Sequence, residues 1–383
     1  MSIIRHKDLE SCWSIAGPWQ ALTNETPLLS PDWLLSWWKH FGKHTELFVL
    51  EARNPVGNIL GIAPLFIRKQ FGNCELQTLG SGNVCTDYMK FISSPERMLE
   101  VTTSICNYLG SFFNKQPSLQ TNTLSLEGIA SGTPWAEAFS SLIQELGFRC
   151  WESPLHGSVT IDLPSTWEQY LANLSHSPKR KARKIISRLK SGEISFFSTS
   201  KSEECIERMP DLERLHQSRH LSIGQSGSYA DPRFGPFLQE SVKLLAERGK
   251  VSMQWCESEG QIISIHLVLL GGKTWYVYQS GIDSNFMALE PGHALTVSSI
   301  RHAIENGVRC YDLLRGEEPY KVYWGGKALP LTSQTCRPPQ TISRVAGLTH
   351  QSFWQLKQSA KSLVGIAKRI SQSMKPIEIK RNG

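Results

Sequence analysis

The chain has 383 residues, 40% of them hydrophobic and 20% charged, the composition of an ordinary globular protein at a length where one core gives way to two. Its formal net charge of +7 lies in the last stretch, because from Gln340 onward there are Arg344, Lys357, Lys361, Lys368, Arg369, Lys375, Lys380 and Arg381 against Glu378 alone. The body ahead of it is therefore formally neutral, which argues against DNA as a partner, and nine scattered cysteines without CxxC spacing argue against a metal site and for buried, reduced thiols.

The start carries Arg5, His6, Lys7, Asp8 and Glu10 and no apolar leader core, so a cytoplasmic protein is expected. Ser30-Pro31 opens a helix with a serine cap and a proline in its first turn; it holds Trp33, Trp37, Trp38 and Phe41 and stops at Gly42. Apolar runs at 47–52 and 59–67 around Asn54-Pro55-Val56-Gly57-Asn58 predict a β-hairpin. Strands follow at 75–79 and 88–92, then a helix near 96–113, a strand near 124–127, a helix near 135–146 and a strand near 159–163. The segment 177–190, Ser177-Pro178-Lys179-Arg180-Lys181-Ala182-Arg183-Lys184-Ile185-Ile186-Ser187-Arg188-Leu189-Lys190, reads as a helix with seven basic residues and no acid. It is either a solvated face or a contact for anionic groups.

The second half repeats the plan. Residues 251–255 and 262–270 flank a turn at 257–260, a strand follows at 274–279, a helix at 292–305 with Gly307 as its stop, and a strand at 309–314. Hairpin, strand, helix and strand in both halves predict an internal duplication of α/β class, with mixed sheets covered by helices. The expected division is 1–165, 166–335 and a basic tail at 336–383. In that tail Phe353, Leu356, Ala360, Leu363, Ala367, Ile370 and Met374 form one amphipathic stripe, which suits docking on the body, a partner helix, or peripheral contact with an anionic membrane at its inner face.

Chemistry concentrates where Trp275-Tyr276-Val277-Tyr278-Gln279 ends and Pro291-Gly292-His293-Ala294-Leu295 starts a helix, since helix N-termini bind phosphate groups. This stretch, with Tyr311-Asp312-Leu313-Leu314-Arg315-Gly316-Glu317-Glu318-Pro319-Tyr320-Lys321 and Trp324, resembles the C-terminal core of the CelD/BcsL-type acetyltransferases of the GNAT superfamily, which are related to FemAB-like transferases. Ser30-Pro31, Trp33, Trp37-Trp38 and Asp87-Tyr88 extend the likeness into the first half.

The resemblance implies two tandem GNAT-like halves. It implies acetyl-CoA or another acyl-CoA as co-substrate, with its diphosphate at Pro291, Gly292, His293, Ala294 and Leu295. It implies no cofactor site in the first half, where Ser93-Ser94-Pro95-Glu96-Arg97 has no glycine. The acceptor it implies is an amine of a small or lipid-linked saccharide or peptide, in exopolysaccharide or envelope synthesis. A phosphate loop with few glycines and a nearby Glu290 departs from the family pattern.

Acyl transfer to an amine needs a base and a donor to the leaving thiolate. His266 and Asp312 are the candidate bases, with Asp283 and Glu317 behind them. Tyr278 or Tyr320 is the candidate acid, and Lys321 is a candidate for phosphate or oxyanion. Two other functions stay open: a FemAB-like transferase using aminoacyl-tRNA, with the basic helix as its arm, and a non-catalytic binding scaffold.

Overall fold

The computed structural model describes residues 1–23, 26–70, 73–115, 121–316 and 318–339; the amphipathic stripe at 353–374 and Glu317 lie outside them. The first half runs β1 (Ser2–His6), α1 (Leu9–Ser14), α2 (Ala16–Leu22), α3 (Pro31–Phe41), β2 (Glu46–Arg53), β3 (Ile59–Gln70), β4 (Asn73–Thr78), β5 (Ile92–Ser93), α4 (Met98–Asn114), β6 (Thr121–Ala130), α5 (Pro134–Glu145) and β7 (Arg149–Pro154). The chain continues through β8 (Ser158–Asp162), α6 (Trp167–Asn173), α7 (His176–Ser191), β9 (Ser195–Thr199), α8 (Ser202–Glu207), α9 (Met209–Ser222), α10 (Phe234–Glu247), β10 (Val251–Ser258), β11 (Gln261–Leu270) and β12 (Thr274–Ile282). It ends with α11 (Pro291–Glu305), β13 (Cys310–Arg315), α12 (Pro319–Tyr323), β14 (Lys327–Leu329) and β15 (Leu331–Arg337).

Local chemistry sets these elements. Ser30 Oγ accepts the Trp33 N–H at 3.3 Å, Pro31 takes the first position of α3, and Gly42 closes it. The first hairpin turns because Asn54 Oδ1 accepts the N–H groups of Val56 and Asn58, while Gly57 takes a φ of 92° that side chains avoid. Residues 88–92, expected as a strand, supply only the start of β5, because Tyr88 itself sits at φ 65° and breaks the run.

The two sheets have the same order. One reads β1-β2-β3-β4-β6-β15-β7, with β5 on β3, and the other, from its far edge, β9-β10-β11-β12-β13-β8-β14. In the first sheet the next-to-last strand comes from the far end of the chain, since β15 pairs antiparallel with β6 and β7; in the second sheet the matching strand is β8, which pairs antiparallel with β13 and β14. The duplicated mixed α/β fold is thus present, with a second sheet built from the contiguous run β8 to β14 and a first sheet completed by β15 from beyond it.

Both sheets are covered on both faces. Phe48, Leu50 and Leu65 pack under α4 and α5, whereas the alternate residues Leu47, Val49, Ile62 and Phe66 face inward. The inner faces enclose one shared core, to which α3 brings Trp33 and Trp37 and α10 brings Phe237 and Leu238. The outer face of the second sheet carries α6, α7 and α11. No helix among the described residues is long and apolar enough to cross a membrane.

Candidate active site

In the second sheet the parallel neighbours β12 and β13 pair only from Thr274–Tyr276 against Cys310–Asp312, and β12 then continues to Ile282 away from its partner. The equivalent strands of the first sheet, β4 and β6, stay paired from Asn73 to Gln77, almost the whole length of β4. Only the second half therefore opens a wedge at the C-terminal ends of parallel strands, where α/β folds bind ligands. A bulge lies on its wall: Leu267 faces Gln279 and Val268 faces Val277, so Tyr278 has no partner on β11.

The start of α11 stands behind the wedge. Glu290 turns the chain at φ 56°, and Gly292 follows, where a Cβ would meet only Ile282 Cγ2, at 3.5 Å, the tip of β12. Among the residues expected to hold a diphosphate, Gly292 and His293 head the helix, where backbone N–H groups lack helical partners. The Ala294 N–H is already taken by the Glu290 carbonyl at 3.0 Å, Ala294 and Leu295 are fully buried, and the Pro291 carbonyl accepts Ser264 Oγ–H. His293 Nδ1 accepts the Trp324 Nε1–H at 3.1 Å, and burial, then the charge of Lys181, lower its pKa.

Helix α7 borders this entrance. Lys181 Nζ lies 2.5 Å from Glu290 Oε1 and Lys184 Nζ 3.7 Å from Oε2, and Arg188 donates to the carbonyls of Leu289 and Ala288. The hydrogen bond from Lys181 holds the Glu290 carboxyl below its usual range. The acid beside the helix start is thus neutralised by two lysines. Arg180, Arg183 and Lys190 make no ion pair among the described residues.

On the face toward the first half, Asp312 sits at the point where β12 and β13 part. It is 2% exposed; Oδ1 accepts Ser158 Oγ–H and the Leu314 N–H, both at 2.8 Å, and Oδ2 accepts the Tyr88 hydroxyl. Burial raises its pKa against the lowering effect of these donors. The three partners come from the first half, from the neighbouring strand β8 and from β13 itself. Next to it the fully buried Asp87 accepts the Arg315 backbone N–H at 3.0 Å and Nε–H at 2.8 Å, and Arg315 Nη1 donates to Glu127 at 2.9 Å. Burial takes the Asp87 pKa to about 6 despite this pair.

The five expected catalytic residues therefore do not meet. Asp312 and Tyr278 lie on the inner face; His266 lies on the outer one, in step with Ser264, which bonds to α11. His266 is 5% exposed, its Nδ1 has no partner, and burial lowers its pKa to about 3. The Tyr278 hydroxyl is spent on the Val84 carbonyl at 2.9 Å, and burial raises its pKa. Tyr320, also raised by burial, packs among the outer-face residues. Lys321 is 3% exposed and donates to the carbonyls of Leu314, Arg315 and Gly316 at 3.1–3.2 Å, so its ammonium is held by the chain end of β13. Asp283 accepts the Asn285 N–H in the turn before α11. Among the described residues no cluster of side chains is suited to hold a metal ion.

Sequence reasoning missed Tyr88, Ser158, Arg315 and Glu127 as site residues. Their signal was faint: Asp87-Tyr88 is a polar pair after a strand, and Gly128, beside Glu127, has φ 80° and leaves no room for a Cβ, which would lie 2.4 Å from the Thr86 carbonyl.

Residues 176–322 match the family described as Acetyltransferase (GNAT) domain. No curated protein matches the chain. Among solved structures the chain is similar to FemX, at 11% identity and a TM-score of 0.62 over 91% of this chain and 99% of that one. It is similar also to a conserved protein of unknown function from Bacteroides thetaiotaomicron, at 13% identity and a TM-score of 0.54 over 88% of this chain and all of that one. A third is the C-terminal domain of a protein named as a lysylphosphatidylglycerol synthetase from Agrobacterium fabrum, at 9% identity and a TM-score of 0.52 over 84% of this chain and 92% of that one. At such identities the likeness is one of fold. The protein has a tandem GNAT-like fold, and the acetyltransferase-type domain coincides with the half that opens the wedge.

Proposed function

We propose that the protein is an N-acyltransferase that takes an acyl group from acyl-CoA and delivers it to an amine of a saccharide or peptide acceptor. The observation that carries this is the wedge between β12 and β13, with the α11 N-terminus and the α7 lysines on one side and the Asp312–Tyr88 pair on the other. The residues present fit such a donor: Gly292 and His293 offer backbone N–H groups, Gly292 adds no side chain, and Lys181 and Lys184 supply positive charge for a diphosphate. The donor would supply an activated thioester carbonyl.

The chain's own residues then handle protons and charge. The acceptor amine attacks the thioester carbon, and Tyr88 Oη takes the amine proton as its own passes to Asp312, which burial already biases toward the protonated form. We assign the tetrahedral oxyanion to the bulge on β12, where Tyr278 has no residue opposite it on β11. The departing thiolate, with a thiol pKa of about 8.5, needs no protein acid, in keeping with Tyr278 being committed elsewhere.

The resemblance to CelD/BcsL-type enzymes supports acceptors of envelope or exopolysaccharide synthesis. Arg180, Arg183 and Lys190 on α7, which make no ion pair among the described residues, favour a second reading, aminoacyl-tRNA as donor.

Calorimetry tests the donor. Acetyl-CoA should bind saturably to the wild type and to Gly292→Ala, whose methyl fits, and not to Gly292→Glu. Absence of binding by any CoA thioester, with tight salt-sensitive binding of charged tRNA, would replace the first reading by the second. Tyr88→Phe should lower kcat about 10²–10⁴-fold with little change in the KM for acetyl-CoA.

A further inference from the structure

A cavity of ≈ 350 Å³ opens on the inner face of the first sheet, within the range of about 300–1,000 Å³ usual for small-ligand sites. Its wall includes Trp37 and Phe41 of α3, Arg68 of β3, Gln77 of β4, Glu127 of β6 and Arg233 ahead of α10. We propose that this cavity is the acceptor site of the second half's transfer reaction, and that its ligand is an anionic amino sugar.

Three observations select that chemistry. Arg68 makes no ion pair among the described residues, and Arg233 extends over the Phe41 ring at 4.6 Å while bonded to Asp231. The cavity thus offers the Arg68 guanidinium to a phosphate or carboxylate, with Arg233 beside it. Among the described residues Glu127 is the only carboxylate on the wall, and its oxygens, already receiving Arg315 Nη1–H and the Gly82 N–H, retain lone pairs for an ammonium group. Trp37 and Phe41 are the only apolar members of the wall among the described residues, the rest being charged, hydroxyl, amide or glycine residues. A hydroxylated ring suits such a wall, whereas an acyl chain or an apolar peptide side chain would find no surface to cover.

Its position agrees with the reaction. Glu127 reaches the transfer site through Arg315, three residues beyond Asp312 on β13. Asn83 lines the cavity, and its neighbour Val84 accepts the hydroxyl of Tyr278 at the β12 bulge. The first half, whose own β4–β6 pair does not part, would on this view present the acceptor to the second half's donor wedge. The proposal rests on the acyltransferase reading for its direction of transfer, and not for its ligand.

Calorimetry with glucosamine 6-phosphate, glucosamine and glucose 6-phosphate, each without and with acetyl-CoA, tests it. Glucosamine 6-phosphate should bind more tightly than either fragment. Arg68→Gln, an exposed change, should weaken it tenfold or more and leave both glucosamine and acetyl-CoA binding unaltered. Equal affinity of wild type and Arg68→Gln for glucosamine 6-phosphate, or no binding of it by a protein that binds acetyl-CoA, would overturn the site. Arg68-dependent binding in a protein that ignores acetyl-CoA would uphold the site and sink the donor assignment instead.

Discussion

Lys321 and His266 show how a residue type suited to catalysis is put to other use by burial. The ammonium of Lys321 is shared between the Glu318 carboxylate, at 3.0 Å, and the carbonyls of Leu314, Arg315 and Gly316, which end β13 around the left-handed Leu314. Lys321→Met would remove these bonds, and we expect a loss of about 3 kcal/mol in urea unfolding; a loss below a few tenths would show that water replaces the ammonium. His266 carries a pH signature instead. Its folded pKa of about 3 lies below the ordinary 6.5, so between those values the unfolded chain takes up a proton that the folded one refuses. The stability it contributes is complete above pH 6.5 and is lost as the pH falls through that window. Urea midpoints at pH 7 and pH 5 should differ less in His266→Gln than in the wild type, and an unchanged difference would remove His266 as a cause. Asp312 was picked out in the sequence because it falls on a late strand of an α/β pattern, and in the structure it stands mid-strand on β13. Tyr88 was not, because its role depends on a left-handed backbone and a partner 224 residues away.

Single elements were read well where the signal is local. Serine before proline marked α3, and two apolar runs about an asparagine–glycine turn marked β2 and β3. Strand partnership is a different matter, since alternation tells which face is buried and not which neighbour covers the edge. β15 begins where the sequence turns polar, and its place between β6 and β7 has no local cue. That placement sets Cys150 and Cys336 directly opposite across an antiparallel pair, with their sulfurs 2.6 Å apart. Directly opposed Cα atoms lie about 4.5–5.5 Å apart, inside the span of a disulfide. Treatment with oxidised glutathione should therefore form a Cys150–Cys336 bond and release two molecules of reduced glutathione. The bond would close a loop between residues 186 apart and raise the melting temperature, the gain being about 5 kcal/mol at most. Intact mass and peptide mapping read the cross-link, and a wild type that stays fully reduced, or a Cys336→Ser protein that forms an equal intramolecular bond, would count against it.

At the scale of the whole molecule the duplication was legible because both halves carry the same order of elements, but the way they are joined was not. Two features bind them: the first sheet is completed by β15 from the end of the second half, and Trp33 contacts Phe237 and Tyr278 edge-on in the core between the sheets, at 5.0 and 4.7 Å. Residues 1–155 alone would lack β15, leaving the edges of β6 and β7 open to wrong pairing. Residues 156–339 alone would retain β8 in its place, yet carry β15 without its sheet and expose Phe237, Leu238 and Tyr278. Expressed singly, the two pieces should therefore aggregate or melt without cooperativity. Expressed together, they should copurify as a one-to-one complex, since a break at 155/156 falls between β7 and β8 and leaves every strand available. Size-exclusion chromatography and thermal melts decide it. A monomeric, cooperatively melting fragment 156–339 would mean that the second half folds by itself and that β15 docks on the first sheet afterwards, so that the transfer site depends on the first half only for Tyr88 and the acceptor.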